Sequence, residues 1–506
     1  MPEGWRNGIE ELRRRQAMAE RMGGKTKVAR QHGRGKLDAR QRLDQLLDPG
    51  SFREIGKLAG SGSYSAQGEL QNVCPSNFIF GDGLIDGRPV VATADDFTVR
   101  GGASDAAIYQ KFFHAEQMAG EYGLPLIRMV DGTGGGGSVK SLEAMGYTYV
   151  PAVPGFEHIH ANLSRVPVVA LALGPCAGLG AARVVASHYS VMVKGLSQVF
   201  TAGPAVVAPL GEEHDKESLG GSDIHTRNGV VDDEAESETH AMELARAFLS
   251  FLPSRAGDAL PRTSPADDPE RTEEALLSIV PRRKDEAYSM RQVLGSVLDR
   301  DSMLEIGRRW GQGAITALAR LDGWPVAVIA SNPAYLGGSW TADTAQKVKR
   351  HVELAELFRL PVVHLVDNPG FMIGGAAERA ATIRRGVEAM GAVYRATVPW
   401  ATVILRKAYG VAGAAMSDHT RFQYRAAWPS GDWGSLPIDG GVEVAYQSEL
   451  AASDDPVAEL AAIKARLAAV KSPFRTAERY GVEDIIDPRE TRPFLTRFIR
   501  LATRPG

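Results

Sequence analysis

The chain has 506 residues, 44% hydrophobic and 24% charged, with a formal net charge of −3. That length exceeds one hydrophobic core and suits two domains, and the near-neutral balance offers no footprint for nucleic acid or a membrane surface. Two distant cysteines, Cys74 and Cys176, exclude a disulfide framework or a multi-cysteine zinc site and fit a reducing, cytoplasmic compartment.

No apolar run approaches the roughly 20 residues of a membrane span. Met1 to Arg15 lacks the apolar core of a signal peptide. Residues 7–47 read as a helical arm with charged faces. Its basic stretch, Lys25 to Arg42, is a solvated face or a subunit contact. Asp48-Pro49-Gly50 ends the arm, and the core begins with strands over Phe78–Leu84 and Pro89–Ala94 around an Asp86-Gly87-Arg88 turn. After Gly101-Gly102 the pattern predicts a helix over Ala106–Tyr122, then a buried strand over Leu126–Val130 ending in Asp131 and a glycine run. A second helix is expected over Pro154–Leu163. The apolar run Val166–Leu173 then leads into Gly174-Pro175-Cys176-Ala177-Gly178-Leu179-Gly180-Ala181-Ala182.

This order recurs. Asp86-Gly87 matches Asp322-Gly323 (322 minus 86 is 236), and Gly101-Gly102 matches Gly337-Gly338 at the same offset. Leu124-Pro125 with Asp131 matches Leu360-Pro361 with Asp367, again at 236. Gly178 matches Gly410 at an offset of 232, within Arg406-Lys407-Ala408-Tyr409-Gly410-Val411-Ala412-Gly413-Ala414-Ala415. The chain is therefore an internal duplication far longer than any solenoid repeat, with α/β domains at 1–252 and 285–506 and a linker at 253–284. Gly211 to Glu238 reads as an elaborated surface loop, and Asp455 to Val470 as an amphipathic helix.

Common catalytic patterns are missing: there is no Gly-x-Ser-x-Gly elbow, Walker loop or HExxH. His158 and His160 face different ways on a helix. Asp131 and Asp367 suit capping as well as catalysis. Cys176 has no histidine base nearby in sequence and reads as structural. The run Thr133–Ser138 lacks the lysine and spacing of a nucleotide loop. What remains is backbone chemistry. A strand, a glycine turn and a helix start leave amide N–H groups unpaired, and such groups hold a carbonyl oxygen as it becomes an oxyanion. Two registered turns imply two oxyanions.

Those residues resemble the carboxyltransferase β subunit of biotin-dependent acyl-CoA carboxylases, the propionyl-, acetyl- and methylcrotonyl-CoA carboxylase group. The resemblance rests on Gly35 to Arg40, Leu46 to Phe52, Asp95 to Gly102, Gly174 to Gly178, Leu219 to Gly221, Val366 to Phe371, Arg406 to Gly410 and Ile486 to Arg492. It implies two tandem crotonase-like (ClpP/crotonase) β-β-α superhelix domains, in a hexamer with active sites at dimer interfaces. It also implies a reaction in which carboxybiotin releases CO₂, the biotin takes the α-proton of an acyl-CoA thioester, and the thioester enolate captures CO₂. By the same resemblance the thioester oxyanion donors are the amides of Gly178 and Leu179, and the biotin donors those of Val411 and Ala412. Gly101, Gly102, Thr133, Gly134, Gly135, Gly410, Gly413 and Ala414 fall where CoA and biotin bind, and no metal is implied.

Two departures stand out. Asp131 to Ser138 carries extra glycines where the family has Ala-Arg. Ala414 stands where the propionyl group has an Asp lining the acyl pocket, which implies a longer or branched acyl group. No Ala-Met-Lys-Met biotinylation site or ATP-grasp loop occurs, so biotin is expected on a partner with biotin carboxylase and carboxyl carrier domains. Two alternatives are a decarboxylase or transcarboxylase subunit of a biotin-dependent complex and a non-catalytic scaffold.

Overall fold

The computed structural model describes residues 3–103, 108–132, 142–143, 145–148, 150, 152–153, 155–265 and 267–503. They form two compact units, Met1–Asp258 and Ala259–Gly506.

The first unit opens with α1 (Arg6–Glu20), α2 (Lys25–His32) and α3 (Ala39–Leu46). The Asp38 carboxylate accepts the Arg40 and Gln41 amides while the Gln41 side chain accepts the Asp38 amide, a reciprocal cap that starts α3. Ala39, Leu43 and Leu46 then bury one stripe of that helix. β1 (Arg53–Glu54) is an edge strand, and β2 (Gly60–Tyr64) pairs with β3 (Leu70–Pro75) as a separate ribbon. The main sheet adds β4 (Phe78–Ile85), β5 (Arg88–Asp95), β6 (Leu126–Val130), β7 (Val168–Ala172), β9 (Tyr189–Val193) and β11 (Asp233–Ala235). Among the described residues its order is β1-β4-β5-β6-β7-β9-β11. β4 and β5 form an antiparallel hairpin, and from β5 onward neighbours are parallel. Parallel strands need crossover helices, supplied by α4 (Tyr109–Tyr122) and α5 (Phe156–Asn162). β6 and β7 are buried at every position, as strands covered on both faces must be. β8 (Pro175–Ala177) leaves this sheet and pairs in parallel with β10 (Gln198–Phe200). After β8 comes α6 (Leu179–Val185), and α7 (Glu238–Ser250) closes the unit against α3.

The second unit repeats the plan with α8 (Met290–Val297), β12 (Leu304–Ile306), β13 (Ala314–Leu321), β14 (Trp324–Ser331), α9 (Ala342–Phe358), β15 (Val362–Asn368), α10 (Thr382–Arg395) and β16 (Trp400–Tyr409). It continues with α11 (Gly410–Ala414), β17 (Tyr424–Ala427), β18 (Asp432–Gly434), α12 (Pro456–Val470) and α13 (Thr491–Ala502). Its sheet runs β12-β13-β14-β15-β16-β17, and β18 pairs with the far end of β16.

The repeat reaches further toward the N-terminus than the sequence landmarks indicated. Glu54-Ile55-Gly56 recurs as Glu305-Ile306-Gly307. The hairpin turns are tied the same way. Asp48 accepts the Asp86 and Gly87 amides at 3.0 and 2.8 Å. Asp299 accepts those of Asp322 and Gly323 at 3.2 and 2.9 Å. α3 packs on α7 as α8 packs on α13. The arm expected over 7–47 is thus corrected: its last helix belongs to the first core.

Three other expectations change. The linker expected over 253–284 is largely part of the second unit. The Thr263 amide donates to the Gly323 carbonyl at 3.0 Å, and Leu276 is buried in that unit's core. The loop expected over 211–238 contains β11, which extends the first sheet alongside β9. α12 carries weak amphipathicity, because Val457 and Val470 are exposed and Ile463 is buried. The helices expected over 106–122 and 154–163 are described as Tyr109–Tyr122 and Phe156–Asn162.

His351, on α9, is buried with Nε2 unpartnered, and burial together with the Lys347 ammonium lowers its pKa to about 4. The unfolded chain takes up this proton near pH 6.5 and the folded chain only near 4. Stability present above pH 6.5 is therefore lost as pH falls toward 4, on the order of 3 kcal/mol for this group. Thermal unfolding followed from pH 7 to 4 is expected to show this fall, with a shallower slope in His351→Leu.

Candidate active site

Each unit places a glycine in a left-handed backbone at the exit of a strand. Gly178 has φ 56° and ψ −118°, and a Cβ there would meet nothing within 4 Å. Conformation, rather than crowding, demands glycine at this turn. Gly410, after β16, has φ 61°.

The amides that follow differ from those expected. Gly178 N–H donates to the Phe200 carbonyl at 3.2 Å, continuing the β8–β10 ladder. That amide is therefore engaged in the strand ladder, and the Leu179 amide of the expected pair is not. Among the described residues the amides of Leu179, Gly180 and Ala181, at the start of α6, have no hydrogen-bond partner, and the first that has one is Ala182, which donates to the Gly178 carbonyl at 2.9 Å. At the second turn the Val411 and Ala412 amides are likewise unpartnered. Subtracting the 232-residue offset from 411 and 412 gives 179 and 180.

The other glycines have packing reasons. A Cβ on Gly413 would lie 2.7 Å from the Ala408 carbonyl carbon, so glycine lets α11 close onto β16. A Cβ on Gly102 would lie 2.3 Å from the Asp131 carbonyl oxygen, and one on Gly338 2.5 Å from that of Asp367. Gly101, at φ 65°, turns the chain into that approach. Ala414 is half-buried, and its carbonyl faces His419 Nε2 at 3.0 Å. Thr133, Gly134 and Gly135 lie outside the described residues.

Asp131 and Asp367 prove to be the anchors of this architecture. Each is fully buried where its strand meets the loop. In the first unit Asp131 Oδ2 receives Lys36 Nζ at 2.6 Å and Arg42 at 2.9 Å, and Arg42 also reaches Glu238 and the Leu173 carbonyl. In the second, Asp367 receives Arg406 Nε at 3.0 Å and the Lys407 amide at 3.1 Å. The strand before each supplies a further support: the Asp131 amide donates to Asp95 at 3.2 Å, and the Asp367 amide to Ser331 Oγ at 3.0 Å. Both carboxylates are engaged in ion pairs, with Asp131 Oδ1 left without a hydrogen-bond partner among the described residues.

Cys176 is buried, and desolvation with the nearby Asp131 and Asp95 carboxylates drives its thiol pKa far up, which makes it inert as a nucleophile. An apolar cavity of about 320 Å³ in the second unit, lined by Trp400, Tyr424 and Phe498, sits at the start of β16, the end remote from the glycine turn. The arrangement thus offers main-chain donors at both turns.

Residues 30–504 match the family described as the carboxyl transferase domain. The chain is 33% identical, over 97% of its length and 95% of the relative's, to a propionyl-CoA carboxylase carboxyltransferase subunit from Haloferax mediterranei. It is 32% identical, over 96% and 94%, to a methylmalonyl-CoA decarboxylase subunit alpha from Veillonella parvula. A crystal structure of the hexameric transcarboxylase 12S, with methylmalonyl-coenzyme A and methylmalonic acid bound, is similar with a TM-score of 0.86 and 30% identity, covering 98% of this chain and 96% of that one.

Removing one partner of a buried ion pair leaves the other charge uncompensated. Arg42→Met removes the cation paired with Glu238, leaves Asp131 paired with Lys36, and is expected to cost about 3–5 kcal/mol. Denaturant unfolding checks this, with the largely exposed Arg300→Met as a near-neutral control.

Proposed function

The chain belongs to the carboxyl transferase family, and we propose that it moves a carboxyl group between carboxybiotin and the α-carbon of an acyl-CoA, using its two glycine turns as the two oxyanion sites. The observation that carries this reading is the recurrence of one geometry. A left-handed glycine at Gly178 and at Gly410 is followed each time by amides without a hydrogen-bond partner among the described residues.

At the first turn the Leu179 and Gly180 amides hold the thioester oxygen, which gains charge as the α-proton leaves. Two fixed N–H donors cost no reorganisation at that moment. At the second, the Val411 and Ala412 amides suit a neutral urea oxygen that becomes negative, since they are uncharged donors. Bound there, biotin supplies the carboxyl donor and the base. That matches a chain whose strand-end carboxylates, Asp131 and Asp367, are committed to ion pairs. The glycine packing at Gly102 and Gly413 keeps both sites rigid. Biotin arrives on a carrier domain of a partner, and a hexamer like that of transcarboxylase 12S is the proposed assembly.

Ala414, in place of the acid expected by resemblance, supports an acyl pocket for chains longer or more branched than propionyl. Turnover across an acyl-CoA series is expected to peak beyond propionyl, and a propionyl optimum would refute that assignment. The same turns serve the reverse direction, and the 32% identity to a decarboxylase subunit supports it too. Copurification with a biotinylated partner, with carboxylation and decarboxylation rates measured in the complex, separates the two readings.

Leu179 is the first residue of its helix, where proline is tolerated but carries no N–H. Leu179→Pro is expected to lower kcat about 10²–10³-fold, the cost of one oxyanion donor, while Leu179→Ala keeps most activity. Equal losses in both variants would remove the amide from the mechanism.

A further inference from the structure

The two glycine turns share a backbone but not an electrostatic setting. In the first unit β8 and β10 align Pro175 with Gln198 and Ala177 with Phe200. In the second, β16 and β18 align Lys407 with Asp432 and Tyr409 with Gly434. Proline and alanine in one copy are lysine and tyrosine in the other, and glutamine is aspartate. The first unit builds the same parallel pair from neutral residues, with Gln198 Nε2 donating to Glu217 at 2.9 Å. The charges at the second turn are therefore not a requirement of the fold.

Their arrangement is specific. Asp432 is 4% exposed and accepts the Tyr409 hydroxyl at 2.6 Å, Lys471 Nζ at 2.7 Å and Lys284 Nζ. The Lys471 ammonium also lies 5.6 Å from the Tyr409 ring centre. Lys407 stands beside this group, half-buried, and among the described residues its amine has no hydrogen-bond or ion-pair partner. Its charged neighbours are Asp367, Arg406, Asp432, Lys284 and Asp285. Asp367 is committed to Arg406, and Asp285 to Arg283 at 2.7 Å. Three ammonium groups therefore share one carboxylate. Burial, with Arg406 and Lys284 adding to it, holds Lys407 below the usual lysine pKa, as expected of a cation short of a counter-charge.

We infer that Lys407, with Lys284 and Lys471 fixed around Asp432 and Tyr409, forms a subsite for a planar carboxylate anion beside the second glycine turn. The inference rests on the proposed reading of that turn. The neutral amides of Val411 and Ala412 take an oxygen that is uncharged at the start, whereas an ammonium cluster takes a group that arrives negative. A carboxylated urea presents both. Free bicarbonate presents the second alone.

The test uses the full-length protein in two arms. In the first, amine labelling near pH 8 is read by peptide mass spectrometry in sodium bicarbonate, acetate or chloride at equal ionic strength. Labelling of Lys407 is expected to slow about tenfold in saturating bicarbonate or acetate and not in chloride, with exposed lysines unchanged; tenfold protection corresponds to roughly ten times the dissociation constant of the anion. Equal effects of all three salts, or none, overturn the subsite. In the second arm, carboxyl transfer between a carboxylated acyl-CoA and free biotin is compared in wild type and Lys407→Gln. A fall of about tenfold in kcat/KM for biotin, with KM for acyl-CoA unchanged, assigns the site to the carboxylated urea. Protection in the first arm with unchanged biotin kinetics assigns it to bicarbonate. An inactive wild type removes the proposed function, while the labelling arm still decides the subsite. Among the described residues the Lys407 amine makes no hydrogen bond or ion pair, so Lys407→Gln is expected to fold.

Discussion

The buried carboxylate at the end of the third core strand is the constraint on which both units turn. Asp131 and Asp367 sit where a parallel strand gives way to a loop, in the interior, and each brings a charge that must be matched there. Matching it ties distant parts of the chain together. In the first unit Arg42 links Asp131 to Glu238, so α3, β6 and the start of α7 meet at one guanidinium. In the second, Arg406 and the Lys407 amide reach Asp367 from the neighbouring strand, just ahead of Gly410. The glycine that packs on each strand end, Gly102 or Gly338, presses on the carbonyl of the same aspartate. The ion pairs hold the strand ends, and the strand ends aim the turns.

Much of this was legible in the sequence. The registered landmarks at Asp86-Gly87, Gly101-Gly102, Asp131 and Gly178 exposed the duplication, because glycines and strand-end acids occupy positions that few other residues fill. The sequence concealed what depends on spacing that had drifted or on very short elements. The kinship of α3 and α8 was missed because the offset there differs from 236 and their shared surface is ordinary helical amphipathicity. β10 and β11 have three residues each, too few for a period to show. Without β10, nothing in the sequence says that the Gly178 amide is already spent on Phe200.

The chemistry follows from what the fold leaves unpaired. The first N–H groups of any helix lack intrahelical partners, and a left-handed glycine before the helix start, present twice, puts such donors at the exit of a strand in both units. The proposed carboxyl transfer gives those donors a use. The charged residues near the turns fall into two groups. Asp131, Arg42, Asp367 and Arg406 hold the fold together through ion pairs, whereas the lysines around Asp432 occur at one turn and have no counterpart at the other among the described residues.

Gly174 and Arg406 are counterparts by the 232-residue offset, and the difference between them limits the history of the molecule. A Cβ on Gly174 would lie 1.9 Å from Asp131 Oδ1 and 2.4 Å from Lys36 Nζ. The space that holds the arginine in one copy is filled in the other by cations arriving from upstream. Recombination that swapped these segments between the halves would put an arginine into an occupied site in one copy and leave an acid unbalanced in the other. The two copies can no longer trade parts, and their separate specialisation has become a ratchet.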